Sequence, residues 1–122
     1  MVPSGRQVIQ SYRGGVFRIS DVEYAGAVIV FPDRTVQWSV SYGVDTLTYG
    51  DFSAVYGTDV AVNLVILGCG PAMRLPPAAL RKSLKDQGIT IEPMDTGAAC
   101  RTFNVLMGED RRVAAALLPM PA

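Results

Sequence analysis

Apolar and polar positions alternate with a period of two through much of the first half of the chain, the signature of strands buried on one face. Val16-Phe17-Arg18-Ile19 follows that pattern. Thr35 to Tyr42 repeats it, with Val36, Trp38 and Val40 on one face and Gln37 and Ser39 on the other. Between them, Tyr24-Ala25-Gly26 leads into Ala27-Val28-Ile29-Val30-Phe31, a run apolar on both faces, and Pro32-Asp33 supplies the turn that follows. Arg6 to Ser11 is a further short strand, broken at Gly14-Gly15. Thr48-Tyr49-Gly50-Asp51 has capping-box spacing and predicts a short helix from Tyr49 to Tyr56, stopped by Gly57. The half reads as antiparallel hairpins.

The second half changes period. Ala61 to Leu67 is a strand rich in β-branched residues, turned by Gly68-Cys69-Gly70-Pro71. Pro76-Pro77 opens a helix at a position proline tolerates, Ala78 to Gln87 continue it and Gly88 ends it. Ile89 to Met94 is a second strand, with Pro93 near its end. Asp95 and Thr96 are N-caps, and Ala99, Cys100, Phe103, Leu106 and Met107 recur at helical spacing up to Gly108. Arg112 to Leu118 is the last strand. Right-handed crossovers in this β-α-β-α-β order make the first two strands parallel, with their carboxyl ends at one edge. Gly68-Cys69-Gly70 and Asp95-Thr96-Gly97 then face each other where open α/β sheets hold ligands.

Length fits one domain over residues 1–122, with an ordered core of about 6–118. A hydrophobic content of 49% is that of a globular chain. Net charge is zero and no basic run is present, which argues against nucleic acid or an anionic membrane as the main partner. No apolar stretch reaches transmembrane length, so direct membrane insertion is not expected. Met1 to Arg6 lacks the apolar core of a signal peptide, and the chain reads as cytoplasmic. Its two cysteines are then expected as free thiols. The chain has no histidine, which excludes Ser-His-Asp and Cys-His systems and zinc sites with His ligands. No metal site and no cofactor are expected.

The densest group of polar side chains lies from Met94 to Asn104. With the glycine turn it gives one candidate ligand-binding set: Gly68, Cys69, Gly70, Asp95, Thr96, Gly97, Arg101 and Asn104. A helix start favours an anion, Gly97 allows close approach to the backbone, and Arg101 can reach back toward the cap on the face it shares with Asn104. The bland reading is an N-cap with a buried seam behind it. Val65 to Pro71 is similar to the glycine loop of S-adenosylmethionine methyltransferases, but Ile66 and Ala72 depart from that pattern and the chain has too few β/α units. Cys69 and Cys100 could meet at this edge as a redox pair, against which Cys100 reads as a core residue beside Phe103 and Met107. Trp38, the single tryptophan, reads as core or the rim of a groove.

Ser11-Tyr12, Phe17-Arg18-Ile19, Tyr24-Ala25-Gly26, Trp38, Leu47-Thr48, Leu67-Gly68-Cys69-Gly70, Leu75-Pro76-Pro77 and above all Met94 to Asn104 carry a resemblance. From about Ile9 to Leu118 the chain resembles a small domain family of long-unknown function found in bacteria, archaea and mitochondria. Its members include a mitochondrial respiratory complex I assembly factor and an adipogenesis-associated cytoplasmic protein. The resemblance implies an α/β fold: a single three-layer domain with a mixed central β-sheet, two main helices and an additional N-terminal β-hairpin layer. It implies no settled activity and no catalytic residues. The leading expectation is a non-enzymatic interaction module, an assembly or chaperone-like factor whose protein partners are subunits of a membrane respiratory complex. The alternatives are a small-ligand or anion-binding domain at the Gly68–Gly70/Asp95–Gly97 edge, and an enzyme of methyl transfer or thiol chemistry.

Overall fold

The structure, a computed structural model, describes residues 6–40, 43–56 and 62–121. The expected helix stop at Gly57, the strand end at Tyr42, the strand start at Ala61 and the reading of Met1 to Gly5 lie outside them. Strands β1 (Ile9–Ser11), β2 (Val16–Ile19) and β3 (Val22–Ala25) form an antiparallel meander. Strands β4 (Val28–Val30), β5 (Thr35–Gln37), β6 (Leu64–Gly68), β7 (Thr90–Met94) and β8 (Val113–Leu117) form a second sheet in the order β5-β4-β8-β6-β7. β6 pairs in parallel with β7 on one side and β8 on the other, and β4 joins β8 antiparallel, so the sheet is mixed. Helices α2 (Ala78–Asp86) and α3 (Thr96–Gly108) are the crossovers. The expected helix at Tyr49 forms as a 3₁₀ turn, Tyr49–Phe52, continued by α1 (Ser53–Tyr56). At its start the Asp51 carboxylate accepts from the Thr48 backbone N–H at 2.8 Å, as the capping-box spacing predicts.

Strand β3 is the element the sequence pattern does not announce. Its residues are mostly exposed, so no alternation marks it. The turn before it is made by Ser20 and Asp21 at positive φ, a two-residue hairpin turn without the usual glycine.

Alternation along the larger sheet divides the core into two. Val28, Val30, Ile66, Val113, Ala115 and Leu117 face the side covered by α3 and the small sheet. Ile29, Phe31, Val65, Leu67, Ala114 and Ala116 face the side covered by α2, Trp38 and Phe52. Central strand β8 is buried at every position, as a strand covered on both faces must be. Edge strand β7 is different. Ile91 points into the α2 side, Thr90 and Glu92 stay exposed toward α3, and Pro93 blunts the open edge.

The small sheet is fastened to α3 by one side chain. Asn104 Oδ1 accepts from the Ile9 N–H at 2.9 Å, and Asn104 Nδ2 donates to the Ile9 carbonyl at 2.9 Å. The amide thus pairs with β1 as a neighbouring strand would. Phe17 and Ile19 of β2 are fully buried beneath it.

Replacing Asn104 by Leu should orphan both Ile9 groups and cost about 1–3 kcal/mol in urea unfolding. Amide hydrogen exchange at Ile9 and along β2 should accelerate more than in β6 or β8.

Candidate functional site

The geometry of the carboxyl edge of β6, β7 and β8 follows from a single threonine. Thr96 is fully buried at the first turn of α3. Its hydroxyl accepts from the Gly70 N–H at 2.8 Å and donates to the Leu118 carbonyl at 2.7 Å. Its backbone N–H donates to the Gly70 carbonyl at 2.8 Å. Segments leaving three adjacent strands are therefore tied at one atom. The Cys69 N–H donates to the Met94 carbonyl and the Leu118 N–H to the Gly68 carbonyl, each at 2.9 Å, completing the lacing.

The glycines are needed for space and for conformation. A Cβ on Gly68 would lie 2.9 Å from Leu117 Cδ2 and 3.0 Å from Thr96 Oγ1, so only glycine lets α3 start this close to β6. Gly70 has φ of +91°, which an L side chain rarely adopts. A Cβ on Gly97 would meet the Tyr12 hydroxyl at 2.9 Å. The close approach that Gly97 permits is thus taken by Tyr12, a residue the sequence reading did not assign to the edge.

The structure brings together Gly68, Cys69, Gly70, Asp95, Thr96 and Gly97. Asn104 turns away from this group, and Arg101 stands at its rim beside Tyr12. Both share a face of α3, but that face looks onto β1: Asn104 holds Ile9, and the exposed Arg101 guanidinium lies 3.5 Å from the Tyr12 hydroxyl. Among the described residues Arg101 forms no ion pair with Asp95. Six residues of helix separate it from the cap by about 9 Å and roughly two-thirds of a turn. Asp95 Oδ1 instead accepts from the Ala98 N–H at 2.9 Å. The N–H groups of Cys69 and Gly70 are both engaged within the fold, which leaves the glycine turn short of donors for a cofactor. A groove of about 570 Å³ opens elsewhere, between α3 and the exposed face of β7, lined by Leu64, Ile66, Glu92, Thr102 and Leu106 among others. None of the candidate residues lines it.

The two thiols lie on opposite faces of the larger sheet, Cys69 in the α2-side core and Cys100 in the α3-side core. The redox-pair expectation is thereby corrected: both cysteines are buried and free, and β6 runs between their compartments. Burial pushes the Cys100 thiol up from 9.0 to about 12; Arg101 opposes the shift and Asp95 adds to it. Burial also raises the Cys69 thiol. Trp38 is buried, meets Phe52 edge-on at 5.3 Å, and donates its indole N–H to the Asp51 carbonyl at 2.7 Å. It belongs to the core.

Three outcomes test this account. Thr96→Val keeps the shape but strands the Gly70 N–H and the Leu118 carbonyl, and should cost about 2–5 kcal/mol in chemical denaturation. Asp95→Ala should cost about 1 kcal/mol as the loss of an N-cap. The Cys100 thiol has a raised folded pKa, so its contribution to stability is complete below pH 9 and lost as pH rises toward 12. Stability curves of wild type and Cys100→Ala should therefore diverge only above pH 9, by up to about 1.4 kcal/mol per pH unit.

Known proteins are similar to this chain over most of its length. An uncharacterised protein of Rhodobacter capsulatus is 35% identical over 118 residues, covering 97% of this chain and 89% of that protein. A Danio rerio protein named NADH dehydrogenase [ubiquinone] 1 alpha subcomplex assembly factor 3 is 35% identical over 119 residues, covering 98% of this chain and 68% of that one. The chain spans 61% of the length of the human and cattle proteins of the same name. A crystal structure from Bartonella henselae, of what is there called an outer membrane protein, superposes with a TM-score of 0.86 at 35% identity, covering 95% of this chain and 97% of that one. The model of the family described as protein of unknown function (DUF498/DUF598) matches residues 9–118, from β1 to just past β8, and the chain belongs to that family.

Proposed function

We propose that this chain is a non-enzymatic interaction module that serves the assembly of a respiratory membrane complex. The observation that carries the reading is the likeness to relatives named as assembly factors of NADH dehydrogenase, which extends over nearly the whole chain. The site geometry supports it. The polar atoms that an enzyme would keep free at the carboxyl edge are used to hold the fold: the Thr96 hydroxyl joins three segments, the Asp95 carboxylate caps α3, and the Asn104 amide clamps β1. The thiols of Cys69 and Cys100 are buried and held protonated, so neither is poised as a nucleophile. We place the domain in the cytoplasm, with protein partners among the subunits of that complex.

Affinity purification of tagged protein from its native cells under mild crosslinking tests the reading. Subunits of an NADH dehydrogenase should be enriched, and disruption of the gene should lower the amount of fully assembled complex. Recovery of no such subunit, together with normal assembly in the disrupted strain, would overturn it.

A further inference from the structure

Helix α3 covers only part of the sheet beneath it. It lies over β6 and β8 and barely reaches β7. On the α3 side of β7, Thr90 and Glu92 are therefore exposed, whereas Ile66 of the neighbouring β6 is buried. The surface forms a step with α3 as its wall and β7 as its floor, and the groove of about 570 Å³ lies along it. Leu64, Met94 and Leu106 line this groove with half-buried apolar surface, and Glu92 and Arg111 line it with exposed charges of opposite sign. Parallel strands of an α/β sheet are ordinarily covered on both faces. Helix α2 covers β7 on its other face, and this one is bare.

The wall carries a matching ridge. Ala99, Phe103 and Met107 turn one side of α3 into the core, which leaves Arg101, Val105 and Glu109 outward at intervals of four residues. Val105 is 60% exposed, although it stands on the same helix as this core. The Arg101 guanidinium is exposed with the Tyr12 hydroxyl at 3.5 Å. Among the described residues none of Glu92, Arg101, Glu109 and Arg111 forms an ion pair.

Strand register gives the order of charges along the groove. The Asn63 N–H donates to the Arg112 carbonyl, Leu64 lies opposite Thr90, and Ile66 lies opposite Glu92. In the direction of β6 the groove therefore reads Arg111, then Leu64, then Glu92, over about 10–13 Å of strand. Helix α3 joins two strands that are both parallel to β6, so it runs the opposite way. Read in the direction of β6, its outward ridge is Glu109, then Val105, then Arg101, over about 12 Å of helix. Ridge and groove thus carry opposite charges in the same order at the same spacing, each with an apolar residue between them.

We propose that two copies of this chain pair through this step, with α3 of each lying in the groove of the other. A two-fold axis parallel to the strands brings α3 of one copy over β7 of the second and preserves the order of residues along it. Val105 then meets Leu64 of the second copy, Arg101 meets Glu92 and Glu109 meets Arg111, and the symmetry repeats each contact. The match between ridge and groove selects a second copy as the occupant, since both halves of it lie on one surface of one chain. Opposite charges facing across an interface fix its register, and the bare face of β7 gains the helix that its neighbours already have. The contact is independent of the assembly reading, and either can fail without the other.

The test is sedimentation equilibrium of the full chain. The apparent mass should rise from 13.1 kDa toward twice that value as concentration goes from ~1 µM to ~1 mM. Glu92→Arg sets like charges against Arg101 on both sides of the axis, and Arg101→Glu sets like charges against Glu92. Each variant alone should dimerise about tenfold more weakly or worse. Mixed in equal amounts, the two should associate about as well as wild type, because every facing pair in the hybrid is again opposite in sign. Val105→Asp should also weaken dimerisation about tenfold or more. Leu75→Asp, which alters an exposed apolar residue outside the groove, should leave it unchanged. The altered side chains are all exposed, so every variant should melt as wild type does below the dimerisation range. A wild-type chain that stays at 13.1 kDa up to ~1 mM would overturn the proposal. So would a dimer that the single charge reversals leave intact, or one that mixing the two variants fails to restore.

Discussion

The hydrogen bonds of one buried hydroxyl set the geometry of this domain. Thr96 Oγ1 satisfies the Gly70 N–H and the Leu118 carbonyl together, at a point where β6, β7 and β8 have all just ended. Chain leaving a parallel sheet at its carboxyl edge carries backbone groups that the ladder no longer pairs, and buried groups of that kind must find partners. A threonine at the first turn of α3 can provide them only if the helix starts almost against β6, and Gly68 makes that approach possible. With the start of α3 fixed, its downstream residues are fixed too. Asn104, just over two turns on, is delivered to Ile9, and the small sheet docks where that amide waits. The chain of dependence runs from hydroxyl to helix to second sheet.

The division of the core into two compartments has chemical consequences. Cys69 and Cys100 are close to the same edge in a topology diagram, yet strand parity and helix phase send one to each side of the sheet. Neighbouring charges cannot offset their desolvation. Arg101 lies next to Cys100 in sequence and favours the thiolate, but burial outweighs it and the thiol stays protonated. The cysteines thus behave as small apolar residues that pack, and the edge keeps no exposed nucleophile from them.

Much of the fold is legible from local pattern. The β-α-β-α-β order, the capping box at Thr48 and the meeting of Gly68–Gly70 with Asp95–Gly97 follow from turn residues, caps and crossover handedness, all local or topological rules. What pattern could not supply were relations between distant segments. Nothing in the sequence around Tyr12 says that its hydroxyl will fill the space over Gly97, because the partners are far apart in the chain. Strand β3 hides because both its faces carry polar or exposed residues, which erases the alternation. Arg101 and Asn104 do share a helix face, as their spacing requires, but spacing cannot say which neighbour that face meets. The two turns were expected to meet and do, whereas the neighbours of Arg101 and Asn104 were not foreseen.

That distinction bears on what a crowded polar edge does in a domain of this kind. Glycine turns and capped helices look alike in sequence whether their donors hold a ligand or hold the protein. Here the donors of the Gly68–Gly70 turn point into the fold, and the consequence appears one step further along the chain. The bonds that close the edge also anchor the start of the following loop, and Met73 and Leu75 lie exposed between Gly70 and the buried Pro76. Packing alone would favour burying Met73 and Leu75, which stay 55% and 62% exposed although full burial of such a side chain is worth about 1.5–3 kcal/mol. The polar groups of this edge are taken up by the fold, and Met73 and Leu75 stand outside it on the loop that the edge supports.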